Sequence, residues 1–277
     1  MSNIDKLSGY ESIPPQAKNF PIKIRRYSIS GGLTPHWHEH LELLFFLSGR
    51  TTLIVNGRAL EVGAGDTVAV NSTEVHSFTV AGEKAEYLCL IIYPEFFSDI
   101  DFDGVTIENL IPSDAHASEC AEAIYREYST GGTLAAMREK ALTYSLMSYL
   151  VDKYRSEPMT KQSRRRRTAA LSRLDSVMEY VSLHYSEHLT TRDLAGICYL
   201  SESHFCRFFK ASTGKSALEY INEYRAERAA VLLENTDIPI SEIAESVGFE
   251  DQNYFSRIFK RVKGVAPKEH RAACSAK

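Results

Sequence analysis

Hydrophobic and polar residues follow one another along the first hundred positions in short runs that are typical of β-strands. The runs cover residues 22–29, 41–47, 51–55, 59–62, 66–70, 76–80 and 87–93. An Asn56-Gly57 pair lies between two of them, and this dipeptide closes the tightest β-hairpins. The pattern predicts a small antiparallel β-barrel or sandwich over residues 1–112.

From Asp114 onwards the spacing of apolar residues becomes helical. Segments 114–129 and 133–155 are separated by Gly131-Gly132, which predicts a helical hairpin over residues 113–155. In its second helix, apolar residues recur every three or four positions: Leu134, Met137, Ala141, Tyr144, Met147, Val151 and Tyr154. This stripe packs either on the β-domain or against a second copy of the chain. We expect the hairpin to serve dimerisation.

A polar segment, residues 156–170, follows the hairpin. It contains Pro158 and a run of four arginines, Arg164 to Arg167, and it has too few apolar residues to join a core. We therefore interpret it as a basic linker. Its arginines are either solvated or, beside DNA, in contact with phosphates.

The remaining segment, residues 171–277, is predicted to be entirely helical and contains an internal repeat. The first copy holds Asp193-Leu194-Ala195, Phe205-Cys206-Arg207-Phe208-Phe209-Lys210 and Gly214. The second copy holds Glu242-Ile243-Ala244, Phe255-Ser256-Arg257-Ile258-Phe259-Lys260 and Gly264. The downstream blocks are 50 residues apart and the upstream blocks 49, which places one extra residue in the second turn.

Each copy is predicted to form a short helix, a turn and a second helix, in which the second helix can enter the major groove of DNA. Phe205, Phe208 and Phe209 are spaced to face a core, which leaves a polar face outside. The candidate DNA-contacting residues are Ser203, Cys206, Arg207 and Lys210 in the first copy, and Gln252, Asn253, Ser256, Arg257 and Lys260 in the second. Amides pair with adenine, arginine with guanine or phosphate, and lysine with phosphate. A connecting helix over residues 216–236 is roughly 30 Å long, close to the roughly 34 Å of one DNA turn.

The charge distribution agrees with such a division. The whole chain has a formal net charge of −4. Residues 1–163 carry 14 Lys and Arg against 21 Asp and Glu, whereas residues 164–277 carry 18 against 15. A mildly basic half beside an acidic half suits a DNA-binding module joined to a separate folded domain.

The composition also disfavours several classes of protein. No stretch approaches the roughly 18 consecutive apolar residues of a membrane span, and the first sixteen residues lack the apolar core of a signal peptide. The five cysteines, Cys89, Cys120, Cys198, Cys206 and Cys274, show no C-x-x-C spacing, so neither a disulfide framework nor a structural zinc site is expected. We predict a cytoplasmic protein without membrane contact.

Over residues 171 to 272 the chain resembles the AraC/XylS transcriptional regulators. The resemblance rests on Ile243-Ala244, Val247-Gly248-Phe249, Gln252 to Lys260, Gly264, Pro267 and Thr213-Gly214. It implies two helix-turn-helix units joined by a long helix, binding to double-stranded promoter DNA, and usually activation through RNA polymerase. It also implies base contacts at the positions of Ser203, Cys206, Arg207, Gln252, Asn253 and Arg257. Because Ser203 and Cys206 are small, the first helix is expected to contribute mainly backbone positioning.

A second group of residues lies in the β-domain and resembles the two motifs of cupin domains. The matching residues are His36, His38 and Glu42, followed by Gly49, Gly65-Asp66 and His76. The proline usual in the second motif is replaced near Asn71, and His40 offers an alternative ligand. The set suits Fe, Mn, Ni, Cu or Zn, or else it hydrogen-bonds a small ligand or itself. We expect a ligand site at His36, His38, Glu42 and His76, with Trp37, Phe45 and Phe46 in its lining, and no resident cofactor.

The resulting prediction is an α+β multidomain protein. It comprises an antiparallel cupin-like β-barrel (1–112), a helical hairpin (113–155), a linker (156–170) and an all-α tandem helix-turn-helix domain (171–277). The function expected is that of a ligand-responsive, sequence-specific, homodimeric transcription regulator without catalytic residues. Two alternatives stay open: a metal-dependent cupin enzyme fused to a DNA-binding domain, and a β-domain that acts only as a dimerisation platform.

Overall fold

The structure is a computed structural model that describes residues 20–29, 32–79, 84–102, 104–157 and 160–275. The predicted beginning of the β-domain before residue 20, the last residue of the 76–80 run, and Pro158 of the linker lie outside these ranges. In the described part, the helices include none that is both long and apolar enough to cross a bilayer.

The amino-terminal domain consists of nine strands in the described residues. They are β1 (Ile22–Ile29), β2 (Leu33–His36), β3 (Leu41–Ser48), β4 (Arg50–Val55), β5 (Arg58–Gly63), β6 (Thr67–Val70), β7 (His76–Thr79), β8 (Ala85–Ile92) and β9 (Leu110–Ile111). Asn56 and Gly57 connect β4 to β5 with φ angles of 48° and 76°. Both values belong to the tight turn that this dipeptide favours, so the predicted hairpin is confirmed.

The strands form two antiparallel sheets. One has the order β1-β8-β3-β6-β9 and the other β2-β7-β4-β5. One apolar core, which includes Leu44, Phe46, Leu53 and Phe78, lies between them. The predicted cupin-like fold is thus confirmed as two facing sheets; among the described strands, no ladder joins the two sheets into a closed ring.

The described helices begin with a short 3-10 turn, Pro94–Phe97. The α-helices are α1 (Ala115–Thr130), α2 (Thr133–Tyr154), α3 (Lys161–His184), α4 (Thr191–Ile197), α5 (Glu202–Thr213), α6 (Ala217–Asn235), α7 (Ile240–Ser246), α8 (Gln252–Lys263) and α9 (Pro267–Ser275). Helices α1 and α2 form the predicted hairpin and cover the outer face of the five-stranded sheet, sharing a core with Phe45, Leu88 and Leu90.

The packing face of α2 differs from the predicted stripe. Its buried residues are Ala135, Glu139, Thr143, Leu146, Met147 and Leu150, whereas Leu134 and Met137 are 67% and 63% exposed. The first half of the predicted stripe therefore does not pack on the β-domain, and its alternative role, packing against a second copy, stays a prediction. The buried row follows the ridge of residues four positions apart, one of the two ridges by which helices pack.

Asp114 connects the two helices of the hairpin. One carboxylate oxygen caps α1 by accepting from the backbone N–H of Ala117 at 3.0 Å. The other accepts from the hydroxyls of Tyr149 and Tyr154 and from Lys153, at 2.8, 2.6 and 3.0 Å. Burial opposes ionisation, but these hydrogen bonds outweigh it and hold the pKa of Asp114 below its ordinary value.

Replacing Asp114 by alanine is expected to lower the free energy of unfolding of the amino-terminal domain by roughly 2 kcal/mol, because the helix cap and the tyrosine contacts are lost together. Asp114→Asn, which keeps the capping oxygen, should lose about half as much. Urea titration, monitored by the fluorescence of Trp37, the only tryptophan, measures the free energy of unfolding of the two variants. Equal stability of Asp114→Ala and wild type would contradict this role.

Helix α3 begins inside the segment interpreted as a linker. Thr160 caps it by accepting from the backbone N–H of Ser163 at 3.1 Å. The arginine run therefore lies on a helix. Apolar periodicity could not reveal this, since arginine favours helices without contributing apolar contacts. Further along, Leu171, Leu174 and Val177 join the core of the first helix-turn-helix unit.

The two repeats fold alike. Helices α4 and α7 start 49 residues apart, and α5 and α8 start 50 apart, so the extra residue lies in the second turn as predicted. Gly214 and Gly264 end α5 and α8 with φ of 79° and 78°, a left-handed conformation that glycine adopts without steric cost. The first unit packs around Phe205 and Phe209, and the second around Phe255 and Phe259. Helix α6 joins the units.

Candidate functional site

The predicted DNA-contacting residues of the first unit all lie on the outside of α5. Ser203, Cys206, Arg207 and Lys210 are exposed, while Phe205 and Phe209 on the opposite face are fully buried. Ser201 positions the start of this helix by accepting from the backbone N–H of His204 at 3.4 Å. The face therefore offers two small side chains and two cations to a groove.

The second unit presents a matching and more polar face. Gln252, Asn253, Arg257 and Lys260 of α8 are exposed, and Ser256 is half-buried, with its hydroxyl donating to the backbone carbonyl of Gln252 at 2.9 Å. That bond turns the Ser256 hydroxyl toward its own helix. Two amides and an arginine at the start of a helix are the residue types that read base edges in the major groove.

A residue outside the predicted set orients this face. The ring of Tyr254 lies 5.6 Å from the guanidinium of Arg257, a cation–π distance. Its hydroxyl accepts from the side-chain amide of the buried Asn222 on α6 at 2.9 Å. Arg257 is thus oriented by the connecting helix. Because this contact joins positions 32 residues apart, the sequence pattern did not indicate it.

The β-domain contacts the first unit at the end of α5. A Cβ atom at Gly57 would lie 2.2 Å from the backbone carbonyl oxygen of Ala211, and one at Gly214 would lie 2.7 Å from the side chain of Ile54. Only glycine permits these approaches. The β4–β5 hairpin therefore lies directly against the helix that carries Lys210.

The predicted cupin residues come together between the sheets. Nε2 of His38 and Nε2 of His76 lie 3.2 and 3.0 Å from one carboxylate oxygen of Glu42. The rings of His36 and His76 are 4.0 Å apart, and all three imidazoles are buried. The thiol of Cys89, which the sequence pattern did not indicate, donates to the other oxygen of Glu42 at 2.9 Å.

Backbone contacts determine how these imidazoles are oriented. Nδ1 of His36, His38 and His76 lies 3.0 to 3.1 Å from the carbonyl oxygens of Thr34, His40 and Glu74 respectively. Since a carbonyl only accepts, each Nδ1 carries a proton and each Nε2 is directed elsewhere. The ligand atoms of the three histidines lie within 4.8 Å of one another.

Two arrangements satisfy this centre. Protonated imidazoles can donate to Glu42, or a divalent transition-metal ion can be held by the three Nε2 atoms and the carboxylate, with the backbone carbonyls orienting the ligands. Burial disfavours the charged form of Glu42. The hydrogen bonds from His38 and His76 nevertheless outweigh this effect and hold its pKa well below the ordinary value.

The predicted lining of this ligand site, Trp37, Phe45 and Phe46, is only partly found beside the histidines. Phe45 and Phe46 do not line one pocket, because neighbouring strand residues point to opposite faces: Phe45 packs toward the helical hairpin and Phe46 between the sheets. Trp37 packs toward the first helix-turn-helix unit.

Asn71, which replaces the usual proline, exchanges hydrogen bonds with the backbone of Ile107 at 2.8 and 2.9 Å and so holds the segment before β9.

Comparison with known families assigns both domains. Residues 194–273 match the family model described as "Helix-turn-helix domain". Residues 26–93 match the model described as "Cupin domain". The first match lies within the α4 to α9 region, and the second lies within the two-sheet domain.

Several regulators are similar to this chain. The HTH-type transcriptional regulator YdeC of Bacillus subtilis is 22% identical over 96% of this chain and 94% of its own length. The Msm operon regulatory protein of Streptococcus mutans is 24% identical over 86% of each chain. The arabinose operon regulatory protein of Salmonella typhimurium is 36% identical over 37% of each. Among solved structures, ToxT from Vibrio cholerae aligns with a TM-score of 0.48 and 16% identity, covering 93% of this chain and 99% of that one.

Proposed function

The chain belongs to the AraC-type transcriptional regulators with a cupin-like amino-terminal domain, and from that premise we propose that both helix-turn-helix units read one DNA site. The observation that carries this proposal is the pair of exposed polar faces on α5 and α8, each opposite a buried phenylalanine pair. The 19 residues of α6 span about 28 Å, which supports placement of the two helices in successive major grooves of one duplex.

The two faces have different parts in this proposal. Gln252, Asn253 and Arg257 read bases, while Lys210 and Lys260 bind phosphates. Ser203 and Cys206 are too short for bidentate contacts with a base. Direct base reading by α5 is therefore assigned to Arg207. Ser256, whose hydroxyl is bound to its own helix, contributes contact with the backbone or a thymine methyl.

The amino-terminal domain acts in this proposal as the sensor of a small-molecule effector. The protein works as an activator that contacts RNA polymerase at promoters in the cytoplasm. The effector shifts the equilibrium between arrangements of the domains, which requires different effector affinities for those arrangements. The contact between the β4–β5 hairpin and the end of α5 supports such coupling, since ligand-dependent movement in the sensor reaches a recognition helix directly.

Footprinting tests the regulatory part of this proposal. The protein is bound to a promoter fragment with and without a metabolite extract of the source cells, and transcription is measured on the same template. We expect the extract to change both the footprint and the transcript level. Identical footprints and identical transcription in both conditions would contradict ligand-responsive regulation.

Homodimerisation is proposed through the exposed part of α2. Leu134 and Met137 lie one turn apart on a surface helix and are 67% and 63% exposed. Replacing both by lysine is expected to convert a dimer into a monomer, because two buried charges would disfavour the interface. Light scattering after size-exclusion chromatography measures the mass. Leu218→Lys, at an equally exposed leucine (60%) of α6, is the matched control, and an unchanged mass of the double variant would place the interface elsewhere.

A second candidate function follows from the cluster of three buried imidazoles, two of which contact Glu42. A metal ion held there would supply Lewis-acid or redox chemistry, as in a metal-dependent cupin enzyme. Metal analysis of the purified protein separates the two functions. A sensor is expected to contain less than one equivalent, whereas stoichiometric metal that is lost in His36→Ala and His76→Ala variants would favour the enzyme.

A further inference from the structure

A second cluster of metal-binding residue types lies in the DNA-binding half, between the end of α6 and helix α9. Its members are Glu234 on α6 and His270 and Cys274 on α9. One ligand atom from each residue lies within 4.8 Å of the other two. Because α9 packs against α6, two helices bring the three side chains together. The cluster is separate from the histidine centre around Glu42.

The spacing of His270 and Cys274 places both side chains on one face of α9. Residues four positions apart on a helix are neighbours, and pairs of zinc ligands on a helix commonly have about this spacing. The third ligand, Glu234, is 36 positions from His270. The lack of C-x-x-C spacing does not exclude such a site, because the cluster needs only one cysteine.

The imidazole of His270 is already directed at Glu234. Its Nε2 lies 2.9 Å from Oε1 of Glu234, and its ring makes an edge contact with Phe259 of α8. Bonds of about 2.0 Å to zinc place tetrahedral ligand atoms roughly 3.3 Å apart. An ion therefore requires Nε2 and Oε1 to separate by only a few tenths of an ångström. The side chain of Glu234 is 39% exposed and has room for this movement.

The donor atoms favour zinc over magnesium or calcium. Zinc accepts imidazole nitrogen, thiolate sulfur and carboxylate oxygen, whereas magnesium and calcium take oxygen ligands. On binding, the thiol of Cys274 releases its proton to solvent. One thiolate and the carboxylate of Glu234 then balance the two charges of the ion, and a water molecule takes the fourth position.

We propose that Glu234, His270 and Cys274 form an exchangeable zinc site that fixes α9 to the connecting helix α6. The ion is exchangeable because only three protein ligands hold it and the carboxylate is partly exposed, so a chelator removes it. His270 also contacts Phe259 of the α8 core. Zinc therefore stabilises the second helix-turn-helix unit. This inference does not depend on the proposed effector response.

Helix α1 offers a matched pair of residues without the third ligand. His116 and Cys120 have the same spacing as the pair on α9, and Sγ of Cys120 lies 3.7 Å from Nε2 of His116. In the part of the chain that the structure describes, no third histidine, cysteine or carboxylate completes a metal cluster with them. This pair is the internal control for the site.

Cobalt titration of the full chain, after treatment with a chelator, tests the site. Cobalt takes the place of zinc in such sites, and a cobalt–thiolate bond gives a charge-transfer band in the near ultraviolet. We expect the wild type to develop this band with one equivalent of cobalt. Cys274→Ser should abolish the band, whereas Cys120→Ser should keep it. Cys89→Ser should keep it as well, which separates this site from the histidine centre beside Cys89.

The other two ligands are tested by the affinity for cobalt. His270→Ala and Glu234→Ala should each weaken the binding that produces the band at least about tenfold, since residues that merely orient a ligand already contribute roughly 10- to 100-fold. Glu234 lies at the surface, so its replacement leaves the core intact.

Thermal unfolding gives a second readout. Zinc should raise the thermal midpoint of the wild type, because an ion that binds the folded state stabilises it. The same rise is expected in a double variant with His36→Ala and His76→Ala. Cys274→Ser should show no rise, yet unfold like the wild type without metal. The site is overturned if the wild type shows no thiolate band, if Cys274→Ser keeps the band, or if the double variant loses the response to zinc.

Discussion

Simultaneous replacement of Gln252, Asn253 and Arg257 by alanine is expected to lower affinity for the preferred DNA sequence at least about a hundredfold. Each side chain that reads a base bidentately contributes roughly 1 to 3 kcal/mol, and about 1.4 kcal/mol corresponds to a factor of ten. All three side chains are exposed on α8, so the core around Phe255 and Phe259 stays intact. Fluorescence anisotropy with specific and scrambled duplexes measures the loss.

Lys260→Ala is the matched control on the same helix. Loss of the Lys260 side chain should weaken binding to both duplexes equally, because a phosphate contact carries no sequence information. The salt dependence of the binding constant should fall by about one released counterion. The triple variant should keep non-specific binding. An equal loss on both duplexes for the triple variant would make these residues phosphate contacts and refute direct reading.

The second large effect is expected at Glu139 on α2. This residue is 4% exposed, and one of its carboxylate oxygens is buried without a hydrogen-bond partner. Burial raises its pKa to about 7. The folded state therefore holds the proton more tightly than the unfolded state, and stability is greatest below the unfolded pKa and falls as pH rises through about 7. The fall should be on the order of 3 kcal/mol.

Glu139→Gln should remove this pH dependence, because the glutamine stays uncharged. Urea titrations at several pH values between 4.5 and 8, followed by Trp37 fluorescence, compare the slopes. Glu122→Gln, at an exposed glutamate of α1, should leave the slope of the wild type unchanged. Parallel curves for Glu139→Gln and wild type would show that Glu139 does not titrate in this range.

Much of the fold follows from local signals. The Asn56-Gly57 turn and the glycines that end α5 and α8 require backbone conformations that few other residues adopt, so short motifs located them. The offsets of 49 and 50 residues located both helix-turn-helix units, because a repeated core pattern demands a repeated helix arrangement. The outward faces then followed from helical geometry.

The features that escaped prediction depend on contacts between distant residues. Arg167 and Glu74 are 93 positions apart, and a cavity that Arg167 lines is formed by residues of both the β-domain and helix α3. Glu139 is charged in ordinary circumstances, so a stripe drawn through apolar residues alone left it out. The predicted packing face of α2 therefore differed from the observed one. Asn222 and Tyr254 orient Arg257 through a hydrogen bond and a ring contact. The spacing of apolar residues along the helices gives no sign of either contact.

Selection of bound duplexes from a random-sequence pool tests whether both helix-turn-helix units read one DNA site. We expect two enriched blocks with centres about 10 to 11 base pairs apart, and the block read by α8 should be the more sharply defined. The triple alanine variant should enrich no such block. Absence of enrichment with the wild type, or the same two blocks with the triple variant, would contradict tandem reading of one DNA site by α5 and α8.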